Sequence, residues 1–164
     1  MSKRIKVSEL LNPKKAEKYQ PELMHYFEQG GTWQDLLGYD QNTMAVQYKT
    51  AYEFYQSADF KKAAEAFSYL TMLNPYEYTY WMGFAIAKQS DRAFEEAIVA
   101  YTMAEAIVPE NPIPHLHLAQ CYWAIQQRDK TVEHLKKAIE IAGNEPQHQE
   151  VRLKAEAIYK NLPK

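Results

Sequence analysis

The sequence predicts an all-α solenoid of stacked helix pairs, and three observations carry that prediction. The chain aligns with itself at an offset of 34 residues without gaps, in segments that begin at Met44, Tyr78 and Pro112. Residue classes recur in step: small Ala51, Ala85 and Ala119, large Phe67, Tyr101 and Leu135, and the helix breakers Pro75, Pro109 and Gly143. Each segment also divides into two helical stretches around a short polar turn that holds Asp59, Asp91 or Asp129, each read as the N-cap of the second helix. One helix pair cannot bury its apolar face alone, so three stacked pairs are needed to make a continuous core.

Taken in order, residues 1–12 are expected to lack fixed structure and residues 13–43 to hold N-terminal helices. Pro21 suits the first position of a helix over 22–29, since its missing N–H is not needed there. A second short helix is expected over 32–39, behind Gly30 and Gly31. The helix pairs then occupy 44–77, 78–111 and 112–143. Residues 144–164 form a capping helix and tail with Val151, Ala155 and Ile158 at helical spacing, lying either over the groove or along the last pair.

Composition narrows the function. The net charge of -2 gives no electrostatic drive toward nucleic acid or an anionic membrane. No apolar run approaches the roughly 18 residues of a membrane-spanning helix, and the first residues lack the hydrophobic stretch of a secretory signal, so membrane insertion is not expected and a cytoplasmic location is. Cys121 stands alone, which excludes an internal disulfide. The 13 tyrosines favour recognition, because each combines a large apolar body with a polar tip.

The repeat resembles the tetratricopeptide pattern of a Trp, a Leu-Gly pair, a Tyr, an Ala, an aromatic and a closing Pro. The middle segment carries it best, with Trp81, Phe84-Ala85, Ala97, Tyr101, Ala104 and Pro109, although Lys88 stands where an aromatic is usual. Gln47 replaces the Trp in the first segment, and Thr131 replaces a small residue in the third. In that family one stripe of each first helix lines a concave surface. The matching stripe here is Tyr48, Tyr52 and Tyr55, then Met82, Ile86 and Gln89, then Leu116, Gln120 and Trp123. The Ala51 stripe beside it supplies the face that packs, which favours the tyrosines as a ligand surface over a second core stripe. Lys49, Gln56, Gln89 and His117 are polar neighbours suited either to orienting a peptide backbone or to plain solvation.

Chemistry-bearing groups are sparse. His115 and His117, two residues apart, point about 200° from each other on a helix and cannot share a metal. His25, His134 and His148 read as isolated, and no phosphate loop or nucleophile elbow is present. Neither enzyme activity, a cofactor nor a metal is expected.

A closer resemblance spans residues 30–142. Gly30-Gly31-Thr32, Tyr48, Ala51, Tyr52, Tyr55-Gln56-Ser57, Phe60, Ala63, Phe67, Leu70, Leu73 and Tyr76 begin it, and Gly83, Ala85, Gln89, Ala97, Ile98, Tyr101, Pro112, His117, Ala119 and Cys121 continue it. Together they resemble the class II chaperones of bacterial type III secretion, which escort hydrophobic translocator proteins. The resemblance implies cytoplasmic binding of an extended translocator segment in the concave groove, with Tyr48, Tyr52 and Tyr55 as its wall. It also implies dimerisation through the N-terminal helices, with Leu23, Met24, Tyr26 and Phe27 either making that self-contact or packing on the first repeat. The alternative is a general tetratricopeptide scaffold that binds a soluble partner.

Overall fold

The structure, a computed structural model, describes residues 13–163, and every regular element among them is helical. The expectation for residues 1–12 lies outside the described residues. The elements are α1 (Pro13–Glu28), α2 (Trp33–Leu37), α3 (Gln41–Gln56), α4 (Phe60–Leu73), α5 (Tyr78–Ser90), α6 (Phe94–Ile107), α7 (Ile113–Ala124), α8 (Arg128–Ala142), a 3₁₀ turn (Pro146–His148) and α9 (Gln149–Lys160). Each helix from α3 to α9 packs on its neighbour in sequence, so the pairs α3/α4, α5/α6 and α7/α8 stack in a row and α9 closes the end.

The 34-residue period is a period of burial. Ala51, Ala85 and Ala119 are all sealed from solvent, as are Phe67, Tyr101 and Leu135. At these positions a methyl side chain lets two helix backbones approach and a large one fills the space beyond. Thr131, the departure from the small-residue rule, is also fully buried. Its Oγ1 donates to the Gln127 carbonyl at 3.0 Å, so the hydroxyl is satisfied within its own helix. Trp81, at the signature position of the middle pair, donates its Nε1–H to the Pro75 carbonyl at 2.8 Å and so ties α5 to the preceding turn.

The turn inside each pair is the same structure three times over. Ala58, Arg92 and Gln126, spaced by 34, have φ of 60, 64 and 61°, the left-handed region that glycine favours. After each of them the chain bonds back across the helix end, as in Asp59 N–H to the Phe54 carbonyl and Ala93 N–H to the Lys88 carbonyl. The next residue is the N-cap of the second helix. Asp59 fills that role with its carboxylate, which accepts from the Lys62 backbone N–H. Asp91 and Asp129 do not cap, contrary to the sequence reading. Asp91 ends α5 and Asp129 lies in the first turn of α8, while the cap positions hold Ala93 and Gln127 without a side-chain bond.

One further reading is corrected, and one open alternative is decided. Pro21 lies inside α1 rather than at its start, because the helix begins at Pro13. The C-terminal segment lies along the last pair: Val151, Ala155 and Ile158 pack with Leu116, Ala119, Leu135 and Ala138. At the other end, Phe27 meets Trp33 at 5.0 Å between ring centroids, and Tyr26 donates to the Thr32 carbonyl at 3.3 Å. These contacts pin α1 to α2. Gln34 and Asn74, hydrogen-bonded at 3.0 Å, then fasten α2 to the end of α4.

The turn geometry makes two stabilising substitutions predictable. Ala58→Gly relieves a left-handed alanine and is expected to add about 0.5–1 kcal/mol after the entropy cost of glycine. Ala93, with φ -83° and ψ 68°, has nearly the backbone of Asp59 at -83° and 69°. Ala93→Asp should therefore supply the missing cap, worth about 1 kcal/mol. Urea unfolding should show both as a higher midpoint with an unchanged slope.

Candidate functional site

The first helices of the first two repeats and the start of the third enclose a pocket of about 240 Å³, lined among others by Tyr48, Tyr52, Tyr55, Met82, Gly83 and Ile86. Its walls are almost wholly aromatic and aliphatic. Tyr52 and Tyr55 stack with ring centroids 6.4 Å apart, and Tyr52 is 46% exposed, so it offers an open face. Tyr48 sits deeper: its ring meets Phe67 edge-on at 5.5 Å and Tyr80 at 6.1 Å. It therefore belongs to both core and wall. Burial raises the Tyr48 hydroxyl above its usual pKa, which keeps it a neutral donor and acceptor.

Five members of the expected stripe thus line one pocket. The others are placed differently. Leu116 is buried, because α9 covers the third repeat and draws it into a cluster with Leu135 and Ala155. Trp123 is exposed beyond the pocket at the end of α7, and Gln56 is exposed at the end of α3. Lys49 is exposed and points toward Glu53, 3.8 Å away on the same helix.

Gln89, His117 and Gln120 are committed to one another. Gln89 Oε1 accepts from the Tyr101 hydroxyl at 2.6 Å and lies 3.1 Å from His117 Nδ1, while Gln89 Nε2 donates to Gln120 Oε1 at 3.1 Å. The His117 ring stacks on Tyr101, 5.0 Å between centroids. This network joins α5, α6 and α7 and holds the groove beyond the pocket in one shape. Burial lowers the pKa of His117, so it takes part as a neutral ring.

Sequence reasoning missed Phe67, Tyr78, Thr79, Gly83 and Ile113, which also line the pocket. Thr79 and Ile113 share one repeat position, three residues before the expected stripe begins, so extending the stripe by a turn would have found them. Gly83 carried no such signal. It occupies the place of Lys49 and His117 in the other repeats, and a Cβ there would overlap the buried Phe67 ring. The missing side chain is what lets Phe67 form the pocket floor.

Other reactive groups are accounted for by burial. Cys121 is sealed from solvent and its thiol is pushed up to about 12, so it is not a nucleophile. His134, read as isolated, instead faces His115, and the two Nδ1 atoms are 2.9 Å apart. The pairing crosses from α7 to α8 and so is set by helix packing rather than by spacing along one helix.

No protein-family model matches the chain. Among curated proteins it is similar to the chaperone protein SicA of Salmonella typhimurium, 26% identical over 127 residues that cover 77% of this chain and 74% of SicA. Among solved structures it is similar to a type III secretion complex from Aeromonas hydrophila, with 20% identity, a TM-score of 0.83 and coverage of 86% of this chain and 94% of the other. The translocator chaperone SycD of Yersinia enterocolitica aligns with 22% identity and a TM-score of 0.76 over 80% of this chain and 98% of SycD. PcrH of Pseudomonas aeruginosa, solved with the chaperone-binding region of PopD, aligns with 24% identity and a TM-score of 0.72 over 75% and 92% of the two chains. The chain therefore resembles the chaperone protein SicA in sequence and shares the repeat fold of SycD and PcrH.

The role of Gly83 can be tested by the sign of a stability change. Gly to Ala inside an open helix gains about 1 kcal/mol from helix propensity. Overpacking against Phe67 costs about 1–3 kcal/mol, so Gly83→Ala is expected to destabilise or at best break even. Adding Phe67→Leu should recover part of the loss from Gly83→Ala, which a double-mutant cycle in urea would read as coupling.

Proposed function

We propose that this chain is a cytoplasmic chaperone of a type III secretion system that holds an extended segment of a hydrophobic translocator protein in its concave groove until export. The observation that carries the reading is the pocket between the first two repeats, where Tyr48, Tyr52 and Tyr55 face Met82 and Ile86 across the Gly83 gap. An apolar side chain of the client fills the pocket, and the rest of its segment runs along the groove. An extended segment suits such a site because it loses little conformational entropy on binding, and aromatic walls supply contact area at low entropy cost. Two relatives support the same mode: PcrH is known in complex with the chaperone-binding regions of PopD and PopB, and SycD with a peptide of the translocator YopD.

The groove beyond the pocket supplies orientation. Gln120 and His117, held through Gln89, present fixed polar atoms from α7, and Gln56 and Trp123 flank the two ends of the expected stripe. Lys49 and Leu116 contribute least in this reading, the first because it lies beside Glu53 and the second because α9 covers it. Self-association is assigned to the N-terminal helix. There Met24 is 64% exposed and Leu23 half-buried, whereas Tyr26 and Phe27 are engaged with α2.

Two comparisons test the reading. In a pull-down from the native cell, the Tyr48→Ala, Tyr52→Ala, Tyr55→Ala variant, with helicity checked by circular dichroism, should lose a hydrophobic secreted protein that the wild type retains. Retention of every partner would remove the groove assignment, and loss of a soluble protein instead would make the chain a general scaffold. Tyr52→Ala alone, being exposed, should weaken client binding at least tenfold with a stability change within about 0.5 kcal/mol.

A further inference from the structure

We propose that His115 and His134, with Glu105 behind His115, form a binding site for a divalent transition-metal ion of the zinc, nickel or copper class, which clasps α7 to α8 within the third repeat. Among the described residues these three bring ligand atoms within 4.8 Å of one another. They come from three helices: Glu105 from α6, His115 from α7 and His134 from α8.

The repeat itself marks the departure. His115 occupies the position of Trp81 in the middle repeat and Gln47 in the first, and His134 occupies the position of Ala100 and Ala66. A large signature residue and a small packing residue have thus both become histidine, and the two imidazoles meet. Both are buried, His115 at 2% and His134 at 8% exposure. Apolar residues could fill the same volume without the cost of drying two polar rings, so packing alone gives no reason for the pair.

The hydrogen bonding presets one ligand. Glu105 Oε1 lies 3.5 Å from His115 Nε2. An ionised carboxylate only accepts, so it favours the proton on Nε2 and leaves the His115 Nδ1 lone pair facing His134. A carboxylate behind a histidine is the arrangement that orients and strengthens a metal-bound imidazole. Without metal, His134 donates its Nδ1–H to that lone pair across the 2.9 Å contact. With metal, the His134 proton moves to its own Nε2, both Nδ1 atoms become ligands, and no net proton is released. At metal–nitrogen distances of about 2.0–2.1 Å, nitrogens 2.9 Å apart subtend about 90°, the cis angle of tetragonal and octahedral ions; a tetrahedral ion needs about 3.3 Å, reached by a small turn of either ring.

The surroundings admit a cation. Glu105 is 28% exposed and opens the site to solvent, and water completes the coordination. Lys130 and Lys137, the cations nearby, are both paired with Glu133, at 3.1 and 3.3 Å. Tyr122 stacks on the His134 ring at 5.3 Å and limits its rotation.

Isothermal titration of ZnCl₂, and separately NiCl₂, into chelator-treated full-length protein at pH 7.5 tests the proposal. One site of micromolar affinity or better is expected, weakened at least tenfold in His115→Gln and in His134→Gln and several-fold in Glu105→Gln. The His25→Gln, His148→Gln double variant, which changes only histidines outside the site, should bind as the wild type does. Absence of binding, binding that persists in His134→Gln, or loss in the His25/His148 variant would overturn the site. Should the buried-histidine variants fail to fold, ring-nitrogen NMR of the wild type decides the matter. Zn²⁺ must shift the Nδ1 resonances of two of the five histidines, and shifts confined to exposed rings would equally reject it.

Discussion

The whole structure depends on how closely two helices can approach at Ala51, Ala85 and Ala119. Each is sealed from solvent at the crossing of a first helix with its neighbours, and each has a large partner from the second helix, Phe67, Tyr101 or Leu135, completing the layer. A methyl group at the crossing sets the spacing of every pair, and repeating that spacing three times turns separate hairpins into one row. The turns obey the same constraint. Their left-handed residue, always at the same repeat position, is occupied by Ala58, Arg92 and Gln126 despite the cost, because the second helix must return at a fixed angle to meet the layer.

From that stacking follows the groove. The first helices α3, α5 and α7 line one side of the row, and the residues not used for the alanine layer face the space between them. Here the first two repeats contribute most of a pocket, whereas the third adds only Ile113 at its start, since α9 takes up its apolar face through Leu116. The capping helix therefore limits the length of the open groove while it protects the last repeat from water. Between pocket and cap, the Tyr101, Gln89, His117 and Gln120 network replaces apolar contact by hydrogen bonds and links three helices through part-buried side chains.

Much of this was legible in the sequence. The gapless offset placed all three repeats, the packing residues and the stripe from which the pocket takes Tyr48, Tyr52, Tyr55, Met82 and Ile86. Asp59 was rightly read as a cap, but Asp91 and Asp129 were not. Their turns look alike in composition, yet capping requires one position, and in the second and third repeats that position holds Ala93 and Gln127. Pro21 misled because a proline marks a helix start only on average, and α1 continues through it.

Periodicity along the chain determined the fold, the order of the helices and the face of each that meets its neighbour, because a helix has one geometry and its apolar stripe can be counted. Contacts between side chains far apart in sequence were decided only by the tertiary structure. Gly83 opens the pocket because Phe67 arrives from another helix, Leu116 is covered because α9 turns back along the last pair, and His134 meets His115 because α7 and α8 are packed together. Each depends on the depth and rotation of one helix against another, which arise from packing volumes summed over the whole layer. No local spacing encodes that sum.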